Sequence, residues 1–205
     1  NTSFLGIPIA IALLPTDTIN FTIGFDLGTT LFSWIFGPYL LKEKSNNYFF
    51  LDVRNLLFSI LNSPASRGIV GVLIIYYFGV DDVLEDLLWI PARLVIYLAI
   101  IVVGSRLGII ANSKKKLFKL KRNLKYSLFL KLFILPIYIY ILSKMLNFQG
   151  IEITALVLQA GTPSAISTML LAEAYKKQRD IAAQALLTTT IISSATIPLI
   201  FVMIK

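Results

Sequence analysis

The chain has 205 residues, of which 57% are hydrophobic and 15% are charged. A soluble domain usually carries about 25% charged residues, so this composition excludes an ordinary water-soluble globule and indicates a polytopic membrane protein. Cysteine and histidine are both absent. Their absence excludes disulfides, thiolate nucleophiles, Cys/His metal sites and Ser-His-Asp triads, so we expect no metal and no cofactor.

Seven apolar segments follow one another along the chain, each near the roughly 20 residues that a membrane-spanning helix needs. They cover residues 1–16, 19–41, 57–79, 87–110, 126–146, 152–174 and 181–204. No long linker separates them into soluble domains. The pattern predicts an all-α, multi-pass protein of the cell membrane.

The basic residues lie mainly between these predicted spans. With seven spans, 16 of the 19 Lys and Arg residues fall on one side of the membrane. They are Lys42, Lys44, Arg54, Arg67, Arg106, Lys114, Lys115, Lys116, Lys119, Lys121, Arg122, Lys125, Lys131, Lys176, Lys177 and Arg179. The positive-inside rule makes that side cytoplasmic. It also explains the net charge of +8 without nucleic acid as a partner, although residues 114–125 could contact anionic lipid headgroups.

One carboxylate, Asp26, lies well inside a predicted span. A charged side chain there costs a few kcal/mol unless it is paired or solvated. It is therefore a candidate for ion or proton coupling, or for contact with a substrate. A structural hydrogen bond to a neighbouring helix, or a position shallow enough to reach water, explains it equally well.

Two segments combine polar side chains with helix-breaking residues. Residues 159–164 read Gln-Ala-Gly-Thr-Pro-Ser, and Pro163 lacks an amide hydrogen directly after a flexible glycine. Residues 1–8 read Asn-Thr-Ser-Phe-Leu-Gly-Ile-Pro, where Pro8 closely follows another glycine. Both patterns predict a helix broken within the membrane, whose freed backbone groups are buried in protein or line a wet cavity.

The two segments also correspond in spacing. Pro8 precedes Asp26 by 18 residues, and Pro163 precedes Asp180 by 17. By the topology above, the two broken spans run in opposite directions. Like units of opposite orientation are the signature of an inverted repeat, the plan of many secondary transporters, in which paired broken helices form the substrate site near the midplane. A coincidence of two proline kinks is the alternative.

Several short stretches carry a family resemblance. Residues 1–8 fit the pattern Asn-Thr-x-x-x-Gly-x-Pro, residues 159–163 read Gln-Ala-Gly-Thr-Pro, and residues 172–175 read Ala-Glu-Ala-Tyr. Residues 180–182 read Asp-Ile-Ala, and residues 196–199 read Thr-Ile-Pro-Leu. Over essentially the whole chain, these stretches resemble the auxin efflux carrier family, which includes permeases of organic acids and belongs with the bile-acid and arsenite-type transporters.

The resemblance implies an inverted-repeat transporter with two five-helix repeats, in which one helix of each repeat is a crossover helix broken at its proline. It implies a small organic anion as substrate, held where the two crossover helices meet. The residues that would form this site are Asn1, Thr2, Pro8, Gln159, Thr162, Pro163 and Ser164.

The chain departs from the family in having seven predicted spans instead of ten. Matching from the C-terminus, the first three helices are missing, which agrees with a partial chain that starts at Asn1. Residues 1–41 would then be the last two helices of the first repeat, residues 42–56 a cytoplasmic connection, and residues 57–205 the complete second repeat. The stretch Asn-Ser-Pro at 62–64 matches the family's Asn-Pro only loosely.

We therefore expect a carrier of small carboxylates that works by alternating access, with Asp26 as the ion-coupling candidate. The alternatives are a sodium-coupled organic-anion symporter of the bile-acid type, a passive channel, and a non-transporting assembly or sensor protein. An enzyme is not expected, because the sequence has no Glu-x-x-His, no Gly-x-Ser-x-Gly and no paired intramembrane aspartates. The import or export direction and a homodimeric state are left open.

Overall fold

The computed structural model describes residues 1–41, 64–79, scattered positions between 83 and 108, and 120–204. The predicted connection 42–56 and most of the predicted span 87–110 lie outside the described residues.

The described part of the chain is helical and contains no strand. Its helices are α1 (Thr2–Leu13), α2 (Ile19–Leu41), α3 (Pro64–Phe78), α4 (Arg122–Met145), α5 (Gly150–Ala160), α6 (Ile166–Ala174) and α7 (Arg179–Ile204). Among these residues, α4 and α7 are long and apolar enough to cross a membrane, whereas α1 and α5 are shorter apolar helices. The all-helical prediction is confirmed, while the number of spans and the inverted repeat stay predictions.

Large apolar side chains cover the outer faces of these helices. Val202 and Met203 of α7 are 74% and 85% exposed, and Ile137 and Tyr138 of α4 are 56% and 58% exposed. Contiguous apolar surface of this kind is rare on soluble monomers. It is the surface that a helix presents to lipid or to neighbouring membrane helices.

The predicted break of the sixth span is present. Helix α5 ends at Ala160, residues 161–165 leave the helical path, and α6 begins at Ile166. The break follows from the sequence because Pro163 has no amide hydrogen to continue the helical hydrogen bonds and its ring clashes with the preceding turn. The polar segment 161–165 is thereby placed between two half-helices.

The predicted break at Pro8 was wrong in its form. The backbone stays right-handed helical through Gly6 and Ile7, and a π-helical turn over Thr2–Gly6 precedes the proline. In this turn the amide of Gly6 donates to the carbonyl of Asn1, five residues back, at 3.2 Å. A π-turn changes which carbonyls face the proline ring, so α1 absorbs Pro8 without leaving the helical path.

Short turns return the chain between the long helices. Asn147 joins α4 to α5 with a φ of 61°, a left-handed conformation that asparagine tolerates well. Gln149 caps α5, and its backbone nitrogen donates to Glu152 Oε2 at 3.0 Å. Such a reciprocal cap satisfies orphan amides at the start of a helix, so α4 and α5 form a tight hairpin.

The buried core brings the two ends of the chain together. Ala10 and Leu14 near the end of α1 pack with Ala155 and Leu158 of α5 and with Ile197 of α7. A second buried cluster joins α6 to α7 through Ile166, Met169, Ala183 and Leu186. Helix α1 is therefore held against the end of α5, beside the break.

Candidate functional site

The candidate site lies where α1 crosses the end of α5. Gly6 of α1 is buried, and the side-chain amide of Gln159 packs directly on its backbone. A Cβ atom at position 6 would stand 2.2 Å from Gln159 Oε1 and 2.9 Å from Nε2. No such contact is sterically allowed, so the absence of a side chain at Gly6 is what permits this close approach.

Gln159 is fully buried, yet its amide is unsatisfied. Its exposure is 0%, and within the described residues neither Nε2 nor Oε1 has a hydrogen-bond partner. Asn1 Oδ1 on the facing segment is also buried without a partner there. A buried polar group left unpaired costs about 1–3 kcal/mol, so the crossing holds one donor, Gln159 Nε2, and two acceptors, Gln159 Oε1 and Asn1 Oδ1, that a ligand could satisfy.

Hydrogen bonds tie the broken segment to its surroundings. The backbone nitrogen of Asn1 donates to the Pro163 carbonyl oxygen at 2.6 Å. The Thr162 hydroxyl donates to the Gln159 carbonyl at 2.7 Å, which caps the end of α5. The backbone amide of Ser164 donates to Thr189 Oγ1 of α7 at 3.0 Å. The segment 161–165 is thus held from α1 and α7 at once.

Asp26 lies on α2 and links it to α1. Its carboxylate accepts hydrogen bonds from the hydroxyl groups of Thr2 and Ser3, with Ser3 Oγ at 2.7 Å from Oδ1 and 2.8 Å from Oδ2. The Thr29 hydroxyl donates to the Asp26 carbonyl at 3.0 Å. These contacts are the hydrogen bonds to a neighbouring helix that were one of the explanations for Asp26. Its role in ion coupling stays a prediction.

A basic residue also reaches the break. Lys131 lies within α4, and its ammonium donates to the Ala160 carbonyl oxygen at 2.8 Å. Lys131 therefore lies on the α5 side of the crossing, whereas Asp26 contacts the start of α1.

The structure brings together most, but not all, of the residues that the sequence predicts for the site. Asn1 meets Pro163, Thr162 and Ser164 lie in the same break, and Gln159 lies against α1. Thr2 is buried but turns its hydroxyl to Asp26. Pro8 is exposed on α1 and does not face the break.

Sequence reasoning missed three residues that shape this region. Gly6 sets the approach of α1, Thr189 holds the break, and Lys131 caps α5. Lys131 was counted among the charges that set the topology. Its position inside the apolar run 126–146 was the signal that could have identified it, because an ionisable residue within a span asks for a partner.

Two grooves flank the crossing without opening onto it. One, of about 640 Å³, lies between α2, α6 and α7 and includes Thr168 and Lys177 in its lining. The other, of about 410 Å³, lies between α4, α5 and α7 and includes Thr196. The described residues that line them do not include Gln159. The amide of Gln159 is thus enclosed between α1 and α5.

The model of the membrane transport protein family matches residues 67–201, about two thirds of the chain. The chain belongs to this family, which is of the auxin efflux carrier type. The match includes the end of α5, the break and most of α7. The match confirms the family resemblance. The members of the family are transporters and not enzymes, which agrees with the expectation that the chain is not an enzyme.

One relative among curated proteins extends the match to α1 and α2. The chain is 21% identical over 202 residues to an uncharacterized transporter of Methanocaldococcus jannaschii. The alignment covers 97% of this chain and 63% of the relative, so the chain spans less than two thirds of that protein's length. No solved structure matches the chain.

Proposed function

We propose that the protein is a secondary transporter of small organic anions, carboxylates in particular, that works by alternating access. The substrate binds where α1 meets the break between α5 and α6. The protein is a multi-pass protein of the cell membrane, with its basic connections in the cytoplasm. Helices α1 and α2 belong to the first repeat, and the second repeat ends with α7.

The observation that carries this proposal is the unpaired amide of Gln159. It is fully excluded from solvent, it touches the backbone of Gly6, and neither of its polar atoms is satisfied within the described residues. Its Nε2 group can donate to a carboxylate oxygen, and Asn1 can contribute its own side-chain amide. A small anion at the crossing would accept from Gln159 Nε2 and so remove the cost of burying this donor.

The partial charges of the two helix ends at the break determine which end favours an anion. Helix termini carry partial charges, negative at the end of α5 and positive at the start of α6. In inverted-repeat transporters, the N-termini of discontinuous helices face anionic groups near the midplane. The start of α6 is therefore the end of the break that favours the carboxylate, and the amide of Gln159 supplies a neutral hydrogen-bond donor from the α5 side.

Rigid-body movement gives alternating access in this proposal. Helices α1, α5 and α7 share a buried core, which favours their moving as one unit. Asp26 is our candidate for ion coupling, because its carboxylate joins α2 to α1. Binding of an ion at this carboxylate would change these hydrogen bonds and so act on α1 at the crossing.

Reconstitution of the full-length protein in liposomes tests the proposal. We expect saturable uptake of at least one dicarboxylate or aromatic acid under an imposed pH or sodium gradient. The variant Gln159→Ala should lose about 10-fold or more in affinity, since a hydrogen bond to a charged group contributes about 1.5–3 kcal/mol.

Gln184→Ala on α7 is the matched control, because it makes the same chemical change at a half-buried glutamine near the start of that helix. It should leave the affinity unchanged. Flux that does not saturate at millimolar substrate would instead indicate a passive channel. The absence of flux for every acid tested would favour an assembly or sensor protein.

A further inference from the structure

Lys131 lies deep within a membrane-type helix. It is nine residues from the start of α4 at Arg122, which corresponds to about 13 Å along the helix axis. The apolar run of this helix begins at residue 126, so Lys131 lies five residues, or about 8 Å, inside a hydrocarbon core that is about 30 Å thick. Lys144, in the last turn of the same helix, is exposed and near the opposite end. The two lysines have the same side chain and differ in their position along α4.

The Lys131 ammonium satisfies a carbonyl that the break would otherwise leave free. At the end of α5, the Val157 carbonyl accepts from the amide of Gly161 at 2.9 Å, and the Gln159 carbonyl accepts from Thr162. The Ala160 carbonyl accepts from Lys131 Nζ at 2.8 Å. The lysine thus acts as the cap that the interrupted backbone needs at its negatively polarised end.

In broken-helix transporters, the corresponding place commonly binds a cation. Unwound carbonyls and the C-terminal ends of half-helices are the groups that coordinate Na⁺ or take part in proton binding. Here, a covalently attached ammonium holds such a carbonyl. Its positive charge and its hydrogen bond serve the same purpose that a bound monovalent ion would serve.

We propose that Lys131 is a tethered cation that takes the place of a sodium ion at the end of α5. The broken segment then keeps its shape without a metal ion. As a consequence, transport does not depend on sodium through this site. This consequence for coupling rests on the proposed function, whereas the role of the ammonium does not.

Thermal unfolding of the purified full-length protein tests the role of the ammonium without any substrate. Melting temperatures are compared in sodium chloride, potassium chloride and choline chloride at equal ionic strength. We expect the wild type to melt at the same temperature in all three. Lys131→Ala should melt about 5 °C lower in choline chloride, since it leaves a buried carbonyl unpaired. Sodium or potassium should restore at least half of that loss.

Two further variants separate charge from packing. Lys131→Arg keeps a cation at the carbonyl and should be insensitive to sodium, as the wild type is. Lys144→Ala removes the exposed lysine of the same helix and should match the wild type in every salt.

Three outcomes would overturn the proposal. They are a wild type that sodium specifically stabilises, a Lys131→Ala variant as stable as wild type in choline, and a loss in that variant that no monovalent cation restores. If the variant cannot be purified, specific stabilisation of the wild type by sodium would still overturn the proposal. In liposomes, sodium-dependent flux of the wild type that Asp26→Asn leaves unchanged would contradict the coupling consequence, and absence of all flux would count against the proposed function only.

Discussion

At the scale of single residues, one missing methyl group decides how the crossing is built. Gly6 lies so close to Gln159 that no side chain fits between them. Asn1, on the same side of the crossing as Gly6, also presents an oxygen that has no partner among the described residues. Because these groups are buried, small displacements of the amide change which atoms a ligand can reach.

Gly6→Ala is therefore expected to weaken substrate binding. The added Cβ would stand 2.2 Å from Gln159 Oε1, so the amide must turn away. Losing its hydrogen bond to a charged ligand should weaken binding by about 10- to 100-fold. Substrate affinity in reconstituted protein is the measurement.

The matched control is Gly28→Ala, also within an apolar helix, where an added Cβ meets no atom within 4 Å. It should bind substrate as the wild type does. Equal affinity of both variants would place the substrate away from Gln159.

Asp26→Asn probes the only carboxylate that joins α2 to α1 through hydroxyl groups among the described residues. The amide oxygen can still accept from Thr2 or Ser3, so we expect the protein to fold. Flux should continue down the substrate gradient but lose its response to an imposed ion gradient.

Asp17→Asn, in the exposed turn before α2, is the control for this substitution. If the Asp26→Asn protein keeps its full dependence on pH and sodium, the carboxylate is a structural link and not the coupling group.

At the scale of elements, two helices meet their prolines in the same way. A π-turn over Thr2–Gly6 precedes Pro8 in α1, and a π-turn over Leu130–Ile134 precedes Pro136 in α4. In both, the wider turn lets the helix run on through the proline. The break between α5 and α6 has no such turn, and there the helix stops.

The break depends on a hydroxyl from another helix, which makes Thr189→Val informative. Valine has a similar shape but leaves the Ser164 amide without its 3.0 Å partner. The free energy of unfolding should fall by about 1–3 kcal/mol, measured as a lower melting temperature in detergent.

Thr190→Val is the control, because that hydroxyl donates only to its own helix, at the carbonyl of Leu186. It should change the melting temperature little. A fall of the same size in both variants would mean that the loss comes from α7 and not from the break.

The sequence predicts those elements whose physical cause lies within a few neighbouring residues. Pro163 after Gly161 interrupts a helix whatever surrounds it, so the break could be predicted. The path through Pro8 could not, because it depends on which carbonyl each amide selects, and α- and π-turns share one pattern of apolar residues. Lys131 looked like a topology charge because a linear pattern does not show that the end of α5 lies beside it.

At the scale of the whole molecule, the placement of charges predicts which side of the membrane each helix end faces. The two ends of α4 offer a direct test, since Lys121 and Leu146 are both exposed. The chain contains no cysteine of its own, so single cysteines in it can be labelled selectively.

We expect Lys121→Cys to react with an impermeant maleimide only from the cytoplasmic side, and Leu146→Cys only from outside. Each variant serves as the control for the other, because both report on one helix. Labelling of both from the same side would show that α4 does not cross the membrane, and the reversed pattern would invert the topology.

The contact between Asn1 and Pro163 joins backbone groups 162 residues apart. During synthesis, this contact cannot form until residue 163 has been made, so the early helices remain in the bilayer without it. Closing so long a loop delays folding much more than it costs in equilibrium stability. Insertion and assembly are thus separate stages, and damage at the crossing should appear as slow maturation and degradation of a chain that is already correctly inserted.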